Sequence, residues 1–204
     1  MDIYLIRHTT PAIEKGICYG QTDLDVTETF ADEVLRTKAH IPAQAATVFS
    51  SPLQRCRKLA EALFPQHDIS FHDHLMELDC GDWEMQPWDD IPKDEIDPWM
   101  KDFVHVAVPN GESYTQLHER VVQCFEQLQQ QPCPLVIVAH GGVLRSILSH
   151  ITGTPLKESF NVFTLHYGCV VRLSRNGSGF AYEILYNHSR EGKEWHRPRE
   201  MSDV

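Results

Sequence analysis

Two arginines and two histidines in this chain stand just past the ends of apolar runs, a placement suited to holding and transferring an anionic group. Ile3 to Ile6 form one such run, and it ends in Arg7-His8. Thr47-Val48-Phe49-Ser50 leads through Ser51-Pro52 to Arg55, and Pro134 to Ala139 ends in His140-Gly141-Gly142. A guanidinium presents a planar fork of donors that matches phosphate, whereas an imidazole can act as nucleophile, acid or base. Arg55 falls in the first turn of an expected helix, where the dipole favours anions. A cation there suggests that it and the free amides share an anion. Gly141 and Gly142 let backbone approach a ligand closely. Arg57 reads as a solvated surface residue, and Arg7-His8 taken alone says no more than that a loop begins.

The elements that must position these groups follow from periodicity. Uniformly apolar runs such as Ile3–Ile6 and Pro134–Ala139 are strands covered on both faces, as in an open α/β sheet, where ligands bind beyond the carboxyl ends of the strands. Residues 9–23 carry turn chemistry and form a long loop over such an end. A helix is expected from Thr27, as N-cap, to about His40, with Phe30, Val34 and Leu35 on its buried face and Pro42 beyond it. Ser51 and Pro52 signal the start of a second helix, with Leu53, Cys56, Ala60, Leu63 and Phe64 inward and Pro65 as its stop. Ile69–Phe71 is a short strand. From Trp83 to Asn110 the chain is irregular, acidic and aromatic, and its aromatics are either a satellite core or the walls of a pocket. Ser113 and Gln116 form a capping box for a helix carrying Leu117, Val121, Phe125 and Leu128. Val143, Leu144, Ile147, Leu148 and Ile151 mark another, closed by Gly153 and Pro155. Cys169–Leu173 and Phe180–Leu185 read as a hairpin. The expected organisation is one domain over residues 1–186 and a polar tail over 187–204.

Bulk composition narrows the function. With 204 residues, 42% of them hydrophobic, the chain can build one sizeable core. Lys and Arg number 18 against 29 Asp and Glu, a formal charge of −11, so the global field repels nucleic acid and anionic lipid. An anionic substrate must then be held by local cations. No apolar run reaches transmembrane length and no signal-peptide layout is visible, so the expectation is a cytoplasmic protein. Cysteines 18, 56, 80, 124, 133 and 169 are scattered, as for reduced, packed thiols. His72 and His74 could share a strand face, but two ligands without a third make no metal site, and neither metal nor cofactor is expected. The absence of a Gly-x-Ser-x-Gly elbow excludes an α/β-hydrolase built around His140-Gly-Gly.

Four stretches in order carry a resemblance: Leu5-Ile6-Arg7-His8, Ser50-Ser51-Pro52-Leu53-x-Arg55, Leu75-x-Glu77-x-x-x-Gly81-x-Trp83-Glu84 and Val138-Ala139-His140-Gly141-Gly142. From residue 2 to about 186 the chain resembles the histidine phosphatase superfamily, also called the phosphoglycerate-mutase-like fold. The resemblance implies a three-layer α/β/α sandwich with a mostly parallel central sheet. In it His8 is the phosphorylated nucleophile, Arg7, Arg55, His140 and Gly141 hold the phosphoryl group, and Glu77 is the proton donor. Chemistry agrees: neighbouring guanidinium groups disfavour a protonated His8, and fixed cations can stabilise a phosphoryl transition state. The family commonly has Gly after the nucleophile and Thr two further on, where this chain has Thr9-Thr10-Pro11. Phe30 and Met85 also replace common glycines. The loop Gly16 to Asp23 is similar to that of alpha-ribazole phosphatases, which remove a 5′-phosphate late in cobalamin assembly. Tyr19, Gln21, Thr22, Trp83 and Trp88 are then the expected substrate-binding residues. The resemblance thus points to a phosphomonoester hydrolase with a small-molecule partner, a homodimer being left open. Its rivals are a phosphatase or mutase for phosphosugars, nucleotides or phosphoglycerate, and a non-catalytic phosphate-binding module.

Overall fold

The computed structural model describes residues 2–177 and 179–188; the greater part of the expected tail, residues 189–204, lies outside the described residues. The expected strands all form: β1 (Asp2–Arg7), β2 (Thr47–Ser50), β3 (Ile69–Phe71), β4 (Leu135–Ala139), β5 (Val170–Asn176) and β6 (Gly179–Tyr186). They make one sheet in the order β3-β2-β4-β1-β5-β6. β1 to β4 are mutually parallel where they pair, β5 runs antiparallel to β1, and β6 closes the hairpin with β5.

Alternation along the strands splits the core into two layers, one on each sheet face. Leu135, Ile137 and Ala139 of β4 join Ile3 and Leu5 on one face, against α4 (Tyr114–Leu128) and α5 (Gly141–Thr152). Val136 and Val138 join Ile6 and Val48 on the other, against α1 (Phe30–Lys38) and α2 (Gln54–Leu63). All five residues of β4 are buried, which is why its sequence is apolar without a break. Each such side chain contributes roughly 1.5–3 kcal/mol on burial. This is the three-layer α/β/α arrangement that the resemblance implied.

The helices differ in detail from the sequence reading. α1 starts at Phe30, and its N-cap Thr29 makes no side-chain cap hydrogen bond. Leu35 points outward with 68% of its surface exposed, while Glu33 and Thr37 are buried. Glu33 is inside because it accepts hydrogen bonds from Thr29 Oγ1 and from the amide and hydroxyl of Thr10. α2 begins three residues after Ser51, with Leu53 at its N-cap, and Ser51 turns its hydroxyl to His140. The acidic stretch expected to be irregular contains α3 (Lys93–Lys101), which Pro98 within it disguises. A short α6 (Ser159–Val162) precedes the turn into β5.

Candidate active site

The carboxyl ends of β2, β4 and β1 lie side by side, so the groups that follow them converge. The His8 amide donates to Ala139 O at 2.9 Å, and the Ser51 amide donates to Val138 O at 3.0 Å. These bonds extend the sheet by one step and fix where the next side chains start. The His8 and His140 rings come within 5.1 Å, centroid to centroid, in an edge arrangement. Arg7, His8, Arg55 and His140 are all buried. The expected catalytic groups at the strand ends are therefore brought together.

His8 Nδ1 lies 2.7 Å from Thr9 O. A carbonyl can only accept, so Nδ1 carries a proton, and in a neutral ring the lone pair is then on Nε2. His140 Nε2 is hydrogen-bonded to Ser51 Oγ at 2.8 Å, with Cys56 Sγ 3.4 Å away. Burial, then the charge of Arg55, then His8 and Arg7, hold the His140 pKa well below its ordinary value. His140 is thus a neutral ring among cations. Burial likewise pushes the Cys56 thiol up to about 12, so it is an uncharged wall.

The guanidinium groups are held by backbone carbonyls. Arg7 donates to Leu165 O. Arg55 donates to Thr22 O at 2.8 Å and to Gly20 O at 2.6 Å. Arg145, which the sequence reading passed over, adds a third. A Cβ on Gly141 would lie 3.0 Å from Arg145 Nη1 and 3.4 Å from Arg7 Nε, so the two side chains flank the start of α5. Arg145 rests on the Phe160 ring at 4.6 Å and donates to Phe163 O. Burial, together with repulsion from Arg7, lowers its pKa. The spacing of Gly141 and Arg145, one helical turn apart after a strand-end His, was the available signal.

Glu77 reaches the same helix start from the other side. Its Oε2 accepts from the Gly142 amide at 3.0 Å and its Oε1 from the Leu78 amide at 3.0 Å. Arg120 of α4 fixes the backbone beneath it, donating to His74 O, Met76 O and Glu77 O while its Nε pairs with Glu112 at 2.7 Å. For Glu112, burial raises the pKa, but the Arg120 and Asp79 hydrogen bonds outweigh it and the net shift is downward.

The loop from Gly16 to Asp23 is docked by Glu84. That carboxylate accepts from the amides of Gly20, Gln21 and Thr22 and from the Thr22 hydroxyl. Gly20 presses so close that a Cβ there would lie 1.8 Å from Leu78 O. Gln21 donates to Glu77 O at 3.1 Å. Gln21 and Thr22, two of the expected substrate contacts, use their side chains to hold the loop. Trp83 and Trp88 were expected beside the substrate as well. Both are buried with Trp99, Ile91 and Ile96 in a satellite core, and Trp83 Nε1 donates to Glu95. Tyr19 does stand over the site, with Arg55 5.6 Å from its ring centre. Its hydroxyl is hydrogen-bonded at 2.7 Å to that of Tyr167, which lies over Arg7 at 4.1 Å. Tyr167 had no sequence signal beyond a tyrosine before the last hairpin.

Thr10 gives its hydroxyl to Glu33, whereas Thr9 Oγ1 is fully buried without a hydrogen-bond partner. Among the described residues, no group of three or more His, Cys, Asp or Glu could hold a metal ion. Among the described residues, no helix is long and apolar enough to cross a membrane. Three guanidinium groups, a neutral imidazole and the amides at the start of α5 make a pocket suited to a dianion, with a second imidazole and a carboxylate beside it.

Comparison with known proteins fits that chemistry. Residues 3–188 match the family described as histidine phosphatase superfamily (branch 1). A Hydrogenobacter thermophilus protein provisionally named phosphoserine phosphatase 2 is 28% identical over 198 residues, covering 93% of this chain and 98% of its own. A Salmonella arizonae protein provisionally named phosphoglycerate mutase GpmB is 32% identical over 168 residues, covering 76% of each chain. The crystal structure of an alpha-ribazole phosphatase from Shigella flexneri superposes with a TM-score of 0.80 at 23% identity, covering 91% of this chain and 96% of its own.

Proposed function

Because the chain belongs to the histidine phosphatase superfamily, we propose that it is a phosphomonoester hydrolase working through phosphohistidine at His8, with alpha-ribazole 5′-phosphate as substrate. The His8 ring carries this reading: Nδ1 is bound to Thr9 O, which in a neutral ring puts the lone pair on Nε2, and the ring stands 5.1 Å from that of His140. Nε2 attacks phosphorus, the ester P–O bond breaks, and the departing oxygen takes the proton of Glu77. Water then gives its proton to the Glu77 carboxylate and attacks the phosphohistidine, so the N–P bond breaks and phosphate leaves. Arg7, Arg55, Arg145 and the neutral His140 stabilise the charge on the transferring oxygens, with the Gly141 amide beside them. Thr9 is the better candidate for a hydroxyl contact to phosphate, since Thr10 is engaged by Glu33.

Support for the ribazole ester comes from the Gly16–Asp23 loop resemblance and from the aromatic ring of Tyr19 above the phosphate arginines. A second reading rests on Arg145, which has no ion-pair partner among the described residues and could meet a carboxylate next to the ester. Phosphoserine and phosphoglycerate carry such a group. A panel of alpha-ribazole 5′-phosphate, phosphoserine, phosphoglycerate, phosphosugars and nucleotides, assayed for phosphate release and for mutase turnover, separates the readings. Rapid quenching is expected to trap an acid-labile, alkali-stable adduct on His8, and His8→Ala is expected to be inactive. Undiminished turnover in His8→Ala would sink the chemistry for every substrate.

A further inference from the structure

The pair Tyr19 and Tyr167 spans the top of the phosphate site. Beneath it Arg7, His8, Arg55 and His140 are buried. Each of the first two phosphate arginines is covered by one tyrosine, Arg7 by Tyr167 at 4.1 Å and Arg55 by Tyr19 at 5.6 Å, and a 2.7 Å hydrogen bond joins the hydroxyls. The Tyr167 ring is also 5.4 Å from that of His8. An ester with its phosphate on the arginines therefore has its leaving group against these two rings. Their supports are independent. Tyr19 rides on the loop held by Glu84, and Tyr167 rides on the turn before β5, where the Gly168 amide donates to His8 O at 3.0 Å.

We propose that Tyr167 is a specificity-determining residue: the bond between the tyrosine hydroxyls opens when an ester enters, and the two rings then take a flat heterocyclic leaving group between them. The inference rests on the ribazole reading and deepens it. A tyrosine hydroxyl freed in this half-buried position can exchange its partner for water, so opening is inexpensive. Stacking on the rings supplies affinity that a bare sugar cannot obtain.

Benzimidazole riboside 5′-phosphate and ribose 5-phosphate share the same leaving alcohol and differ by the heterocycle, so the ratio of their kcat/KM values isolates the stacking. The wild-type enzyme is expected to favour the riboside. Tyr167→Ala is expected to reduce that ratio by about 10-fold, within the range for one base stacked on an aromatic ring. Tyr167→Phe, which keeps the ring and loses the hydroxyl, is expected to keep the ratio and to lower KM for the riboside. Inhibition by inorganic phosphate, measured on the same variants, reports whether the site beneath is intact. A wild-type enzyme without preference for the riboside overturns the ribazole reading and this inference with it. If the preference exists and Tyr167→Ala retains it, or Tyr167→Phe loses it, only the role of Tyr167 falls.

Discussion

Glycine at position 142 leaves the space in which Glu77 sits. A Cβ there would lie 2.3 Å from Glu77 Oε1 and 2.9 Å from Leu117 Cδ2. Adding one methyl group therefore displaces the carboxylate from the start of α5, and no atom of Arg7, Arg55 or His140 is among the three it would meet first. Gly142→Ala is expected to behave like Glu77→Gln, losing alkyl esters by roughly the 10²–10⁴-fold typical of general acid catalysis. An activated ester such as 4-nitrophenyl phosphate needs little proton assistance, so its burst of phosphoenzyme formation is expected to suffer less. Equal losses for both esters in that step would remove Glu77 from the role of acid.

Glu84 belongs to the scale of elements, since it joins the loop at residues 20–22 to the short helical turn ending at Trp83. Hydrogen bonds to a carboxylate contribute about 1.5–3 kcal/mol each, and a Gln offers one acceptor oxygen where Glu offers two. Glu84→Gln is expected to raise KM for an ester about 10-fold and to hasten proteolytic cleavage within residues 16–23. Kinetics and cleavage rates identical to wild type would show that the loop docks by other means. Contacts of this kind explain what was legible in the sequence. β1 and β4 were, because burial on both faces demands an apolar run, and so were Arg7, His8, Arg55 and His140, because each stands where such a run stops. Glu84 was visible only as part of a motif, because its partner at Gly20 is 64 residues away and no periodicity links them. Burial of Glu33 has a similar cause that helical periodicity does not carry: the Thr10 amide and hydroxyl, 23 residues away, draw the carboxylate inward. The tryptophans could be placed on a pocket wall or in a core from composition alone, and packing against Trp99 chose the core for Trp83 and Trp88.

At the scale of the whole molecule, a chain of formal charge −11 keeps Arg7, Arg55 and a neutral His140 buried. That arrangement ties folding to pH. The folded pKa of His140 is depressed by burial and by Arg55, so below the ordinary value of 6.5 the unfolded chain binds a proton that the folded chain refuses. Its contribution is intact above pH 6.5 and is lost as pH falls below it, by at most about 1.4 kcal/mol per pH unit. His118, depressed by burial and then by His150, acts in the same direction. The paired carboxylate of Glu112 titrates later, below its ordinary 4.5. Denaturant titrations from pH 7.5 to 5.5 are expected to show stability falling first through the histidine window, and more gently in His140→Gln. Parallel slopes for the two proteins would mean that His140 accepts a proton without unfolding.

The anchoring of residues 16–22 has a consequence for descent. Glu84 grips amides, Arg55 grips the carbonyls of Gly20 and Thr22, and the amides of Met85 and Trp88 reach the carbonyls of Cys18 and Gly16. The loop is held by its main chain and by the side chains of Gln21 and Thr22, none of which depends on the residue type at position 19. Mutation there can change the chemical taste of the pocket while the loop keeps its place. A lineage built this way is expected to change its preference among esters by single substitutions at position 19, each intermediate keeping the fold and the groups at the strand ends.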